Sequence, residues 1–179
     1  VIALETTERI VEAYVRYVKG WATIPNIKCE HQKEIDLFAI DPLSGDRYHI
    51  ETTVSISQSF RALTTKPFSP GDHKIRAKAA SARRTLHFFI QEKFEAAGVK
   101  TALARFGGDT NCKRIIVTWE WKEGADREAA AYGIALWDFR KLMQEIAELG
   151  RIPRTYFGDD TLRTLTLFVK ALDSYKEAK

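Results

Sequence analysis

Asp36 and Glu51 are carboxylates set inside runs that otherwise read as buried strands, EIDLFAID and YHIETTVS. Side chains along a strand alternate between its two faces. Asp36 therefore shares a face with Glu34, Phe38 and Ile40, and Glu51 shares one with Arg47, His49 and Thr53. Between the two runs lies Pro42-Leu43-Ser44-Gly45-Asp46, a turn signal that makes them a hairpin. A hairpin that brings both carboxylates to one face makes them converge. Two close, buried carboxylates repel each other, and burial raises the cost of each charge. A divalent cation removes both problems, and oxygen-only ligation of this kind favours Mg²⁺ or Mn²⁺. The plainer reading is a pair of strand carboxylates neutralised by Lys or Arg.

The order of these residues resembles the PD-(D/E)XK nuclease superfamily, whose members share the restriction-endonuclease-like fold. That pattern is a helix bearing a glutamate, an Asp in the second core strand, and Glu-x-Lys in the third. Glu8 matches the helix glutamate, with Glu5 and Glu12 as competitors. Asp36 matches the Asp, and Glu51-Thr52-Thr53 takes the place of Glu-x-Lys. The resemblance spans roughly residues 4–149 and rests on short motifs in order. It implies a cation held by Asp36, Glu51 and the Thr52 carbonyl, with Glu8 as an outer or second-metal ligand. It also implies hydrolysis of DNA phosphodiester bonds. The departure is Thr53, where the family carries lysine. Thr53 has a hydroxyl but no charge, and losing a positive charge aimed at the transition state costs about 3–4 kcal/mol, the scale of one oxyanion-hole donor. Lys74 or Lys78 can replace it from the next helix, or Gln32 or Lys33 from the start of the Asp36 strand. Otherwise the protein is a catalytically silent nuclease-like module that binds nucleic acid or a protein partner.

Lys74 and Lys78 lie four apart, which puts them on one helix flank suited to phosphate contact. Lys66, Arg76, Arg83 and Arg84, with Arg61, extend the positive charge over the same region. That clustering after the acidic pair points to a phosphate-backbone partner, with a solvated basic face as its plain counterpart. His49 shares a face with Glu51 and reads as a structural histidine within reach of the site. His31, His73 and His87 have no ligand spacing. Trp119 and Trp121 straddle a strand end, where packing is the simpler role than base stacking. The chain has no GxxxxGK[ST], GxSxG or HExxH, which removes the starting residues for ATP-loop, serine-hydrolase and zinc-protease chemistry.

The elements that must position these residues follow from periodicity. Residues 4–19 form an amphipathic helix stopped at Gly20, with Leu4, Ile10, Val11, Tyr14, Val15, Tyr17 and Val18 on its stripe. A strand near residues 24–29 carries Pro25 and so belongs at an edge. The hairpin covers 34–41 and 47–55, and 56–71 reads as a long loop. A helix is predicted over 72–97 with the stripe Ile75, Ala79, Ala82, Leu86, Phe89, Ile90 and Ala97. Strands follow at 114–119 and 132–137. Asp138 caps a helix closed by Gly150, and Asp159 or Asp160 caps a last helix over about 159–176. The layout is α/β, a mixed central sheet flanked by helices with a restriction-endonuclease-like core.

The 179 residues fit one nuclease-like domain, with 45% hydrophobic and 29% charged residues as in ordinary globular proteins. No apolar run approaches the roughly 20 residues of a membrane span. Cys29 and Cys112 are isolated, which fits a reducing cytoplasm and excludes a disulfide framework. Net charge is +4, which permits a polyanionic partner. Val1 opens the chain, which fits a piece of a larger polypeptide. Phe88, Phe89 and Phe94 either fill a core or supply the homodimer surface that a double-strand cutter needs. The sequence reading is a metal-dependent DNA endonuclease of the restriction or repair kind.

Overall fold

The computed structural model describes residues 5–57, 61–67, 82–107, 111–153 and 155–177. Helix α1 (Thr6–Ala13) opens with a reciprocal capping pair between Glu5 and Glu8 and runs on as a π-helical turn, Tyr14–Val18. Gly20 ends it at φ +74°, a backbone angle that L side chains rarely adopt. Strands β1 (Ala22–Lys28), β2 (Glu34–Ile40) and β3 (Arg47–Thr53) follow, then the short β4 (Ala62–Leu63). Helix α2 (Leu86–Phe88) continues as a π-helix, Phe89–Phe94, and leads to α3 (Ala97–Ala104). The chain closes with β5 (Cys112–Thr118), β6 (Glu120–Trp121), α4 (Ala125–Ala131), β7 (Ile134–Asp138), α5 (Phe139–Arg151) and α6 (Asp160–Glu177).

The central sheet is mixed, in the order β1-β2-β3-β5-β7. β1, β2 and β3 pair antiparallel, while β3, β5 and β7 pair parallel. β4 and β6 form a separate two-stranded parallel pair. Alternation along each strand sorts the apolar side chains onto two faces. Leu37, Ala39, Ile50, Ile115 and Val117 meet Ile10, Val11 and Tyr14 from the first helix, with Phe139, Leu142 and Ile146 of α5 and Leu162 of α6. On the other face Ile116 and Ile134 meet Leu86, Phe89 and Phe94, while Ile35 and Phe38 meet Val99, Ala102 and Leu103. The result is a five-stranded α/β sheet covered by helices. Among the described residues no helix is long and apolar enough to cross a membrane.

The predicted hairpin is present, and Pro25 lies in β1 at the sheet edge. Asp138 caps α5 by accepting a hydrogen bond from the Arg140 N–H (2.9 Å), and Asp159 accepts one from Leu162 (2.9 Å). Other expectations need correction. The stretch read as a loop over 56–71 contains β4. The helix predicted over 72–97 is broken at Thr85, and its residues 72–81 lie outside the described residues. Thr85 is extended (φ −101°, ψ 143°) and bridges to Thr64, and its Oγ1 accepts from the Phe88 N–H (3.2 Å) to start α2 afresh. Residues 97–104 form a helix of their own. Leu4 also lies outside the described residues, and Tyr17 is exposed instead of joining the apolar stripe. Phe89 and Phe94 are buried core residues and so do not form a dimer surface.

Gly150 does not close α5, which continues to Arg151. It lies where α5 crosses α6: a Cβ there would sit 3.1 Å from Thr166 Oγ1 and 3.2 Å from its Cγ2. Gly150→Ala is therefore expected to forfeit most of the roughly 1 kcal/mol that alanine brings to a helix interior. Gly150→Leu should cost about 1–3 kcal/mol by overpacking. In a Thr166→Ala background Gly150→Ala should become stabilising. Thermal denaturation of the four variants in a double-mutant cycle measures that coupling, and additive effects would contradict the contact.

Candidate active site

The β2–β3 ladder pairs Leu37 with Ile50 and runs out in the other direction at Ile40 and Arg47. One step beyond Leu37 and Ile50, Asp36 and Glu51 stand opposite each other on one face. Here carboxylates take the place of ladder bonds. The Thr52 N–H donates to Asp36 Oδ2 (2.8 Å), and the Asp36 N–H points at Glu51 Oε1 (3.4 Å). β3 meanwhile stays paired with β5 through Thr53, so Glu51 is anchored in the sheet while its β2 side is open.

A lysine fills that opening. Lys93 Nζ lies 2.6 Å from Glu51 Oε2 and 3.2 Å from Asp36 Oδ1, and it donates to the Glu34 carbonyl (3.2 Å). It comes from the π-helical part of α2. At 3.6 residues per turn, residues five apart point about 140° away from each other. The wider π turn, closed by the Glu95 N–H to the Ile90 carbonyl (2.8 Å), lets both Phe89 and Phe94 face the core. Lys93, next to Phe94, is thereby carried to the sheet end. Lys33 clamps the same turn to the start of β2 through Glu92 (2.8 Å).

Glu51 is 0% exposed and His49 1% exposed, with His49 Nε2 2.7 Å from Glu51 Oε1. Burial, aided by the nearby Lys93 charge, pushes the His49 pKa down to about 3. The ring is thus neutral and stands edge-on to Phe94 at 4.7 Å. Burial and the Glu51 charge push Asp36 up to about 7, against the pull of Lys93 and the Thr52 N–H. Burial raises Glu51 as well, again opposed by Lys93. Glu8 is half-buried and also pushed up to about 7, by burial first and then by the charge of Asp36. For Lys93 burial works downward, but the two carboxylates outweigh it and hold the ammonium above its ordinary range. Two coupled carboxylates thus face one ammonium, and Glu8 feels the charge of Asp36.

The structure brings Asp36, Glu51 and His49 together, with Glu8 within reach of the Asp36 charge. Of the competing glutamates, Glu5 is the exposed cap of α1 and Glu12 accepts from Thr23 Oγ1 (3.2 Å). Thr53 is half-buried on the Glu51 face, and its carbonyl accepts from Arg84 Nη1 (3.4 Å). Thr52 touches the site through its N–H, to Asp36. Lys74, Arg76 and Lys78 lie outside the described residues. Lys33 does not reach the carboxylates because it is spent on Glu92, and Gln32 is exposed. Lys66 and Arg83 are exposed and Arg84 is half-buried, while Arg61 pairs with Glu120 (2.8 Å). Trp119 and Trp121 pack against the two cores.

Sequence reasoning missed Lys93. It sits seven residues after Leu86, four after Phe89 and four before Ala97, on the stripe predicted to face the core. A lysine at a core-facing helix position needs a buried anionic partner, and that signal was present. Among the described residues no three of His, Cys, Asp and Glu form a ready-made metal cage. Lys93 neutralises the two carboxylates, as the plainer reading of the sequence had a Lys or Arg do; Mg²⁺, which keeps several waters and takes one or two carboxylates, fits the pair where it shares or displaces that ammonium. The upward pull on all three acids is what a divalent cation would relieve.

No protein-family model matches the chain, and no curated protein matches it. A solved structure titled as a protein of unknown function, AF1548, is similar over 97% of each chain at 15% identity, with a TM-score of 0.42.

Asp36 and Glu8 hold protons in the folded protein up to about pH 7, whereas unfolded carboxylates release them near pH 4. Between those values the native state binds more protons than the unfolded state, so stability falls as pH rises through the window. Lys93 stays charged throughout it. A melting-temperature series is expected to decline from about pH 4 to about pH 7, and Asp36→Asn and Glu8→Gln should each flatten the decline. An unchanged decline in both variants would contradict the coupling.

Proposed function

We propose that the protein is a metal-dependent nuclease of the PD-(D/E)XK kind that hydrolyses DNA phosphodiester bonds, with its lysine supplied by a helix instead of by the third strand. The observation that carries this reading is the Lys93 ammonium, 2.6 Å from Glu51 and 3.2 Å from Asp36. It brings to the acid pair the positive charge that Thr53 lacks.

In this reading Asp36 and Glu51 hold a divalent cation, Mg²⁺ or Mn²⁺, with Glu8 beside them. Once bound, the cation supplies Lewis acidity and a water of lowered pKa. Lys93 faces the phosphate and steadies the charge that develops on it. Arg84, fixed to the Thr53 carbonyl at the end of β3, and the exposed Arg83 and Lys66 supply cationic groups for the nucleic-acid backbone.

The test is incubation with plasmid, single-stranded and branched DNA in Mg²⁺ and in Mn²⁺. Cleavage is expected, and Asp36→Ala and Glu51→Ala should abolish it. Lys93→Ala should lower the rate by about 10²–10³-fold, the scale of one lost transition-state charge partner. Thr53→Lys in the Lys93→Ala background should restore part of it, since position 53 lies on the Glu51 face. Salt-dependent DNA binding without cleavage would replace this reading with a silent binding module.

A further inference from the structure

The two acids of the site are tied in parallel ways. Asp36 gives one oxygen, Oδ2, to the Thr52 N–H and turns the other toward Lys93. Glu51 gives Oε1 to His49 Nε2 at 2.7 Å and turns Oε2 toward Lys93. A backbone amide orients the first carboxylate, so its direction follows from the strand itself. Glu51 Oε1 takes the Asp36 N–H as well, but at a longer 3.4 Å. A glutamate has three side-chain torsions; Lys93 draws Oε2 from the helix side at 2.6 Å, and His49 makes the short contact on Oε1 from within the strand.

We infer that His49 is the positioning residue for Glu51, holding Oε1 so that Oε2 stays turned, with Asp36 Oδ1, toward the point that the Lys93 ammonium occupies and that a divalent cation would share or take. The residue is built for that role. It stands two positions before Glu51 on the same strand face, so its ring lies alongside the carboxylate. The ring is wedged against Phe94, the neighbour of Lys93. With Glu51 ionised against Lys93, the contact is one in which Nε2–H donates to the carboxylate. Partners of this kind around ligating groups govern metal affinity.

The inference rests on the nuclease reading, and Mn²⁺ titration calorimetry of the full chain without DNA separates the two. Wild type is expected to bind Mn²⁺, and Glu51→Ala to lose it. His49→Phe keeps an aromatic ring but no donor, and should weaken Mn²⁺ binding by about 10–100-fold. His49→Gln places an amide N–H close to the Nε2 position and should stay near the wild-type affinity. The Mg²⁺ concentration for half-maximal cleavage should shift in the same order. A purely structural histidine would instead lower the metal-free melting temperature of His49→Phe and leave its Mn²⁺ affinity unchanged, which overturns the inference. If His49→Phe does not fold, His49→Gln decides alone: retained affinity supports the role and lost affinity overturns it. Absence of Mn²⁺ binding in wild type overturns the nuclease reading itself, and this inference with it.

Discussion

The ammonium of Lys93 between Asp36 and Glu51 is the contact that makes the rest of this corner of the sheet possible. Two carboxylates directly opposite on neighbouring strands repel, and burial adds a desolvation cost to each. Removing one partner of a buried ion pair typically costs about 3–5 kcal/mol, because the remaining charge has no water to turn to. Without Lys93 the two acids would hold their protons to still higher pH or force the strands apart. With it, the sheet tolerates a place where backbone pairing between β2 and β3 stops and side chains carry the hydrogen bonds instead.

That contact also explains two departures from regular geometry around it. The first is the π turn in α2. An ordinary helical turn would present either Phe89 or Phe94 to the core, and the wider turn presents both while setting Lys93 at the sheet end. Helical turns of this kind recur at functional sites because they re-aim one side chain without breaking the helix. The second is the break at Thr85, which starts α2 afresh after a bridge to Thr64. Thr64 lies next to β4, and β4 pairs with β6. The start of the helix that delivers Lys93 is therefore linked to the β4–β6 pair, and Lys33 with Glu92 ties its later turn to the start of β2.

Local signals were legible in the sequence wherever the cause was local. The hairpin and the shared face of Asp36 and Glu51 follow from alternation in EIDLFAI and RYHIETT around one turn. The caps at Asp138 and Asp159 follow from residue type just ahead of an apolar stripe. The helix break did not show, because Thr85 is extended only by virtue of Thr64, twenty-one residues away. The π turn did not show either, since the same residues satisfy an α-helical stripe until both phenylalanines must be buried at once. Lys93 was visible as a letter on the wrong face of a helix. Its meaning required the coordinates of Asp36 and Glu51, because a charge in a core is defined by its partners and not by its neighbours in the chain. The same holds for Glu8. Three glutamates compete on α1, and only the coupling of Glu8 to Asp36 selects one.

A strand position two residues after a glutamate and a helix position facing that strand are different places in the sequence but can serve the same point in space. Electrostatic stabilisation depends on where a charge sits relative to the groups it acts on, and not on which element carries it. On the proposed nuclease reading Thr53 is then free to be a β-branched strand residue, suited to its half-buried place at the end of β3. A helix-borne lysine does carry a requirement that a strand-borne one does not. Its position depends on the packing of α2 against the sheet, through Phe89, Phe94 and the Lys33–Glu92 clamp. Fold and site are consequently coupled more tightly here than where one strand holds glutamate and lysine together: any shift of α2 moves the cation of the site relative to its two acids.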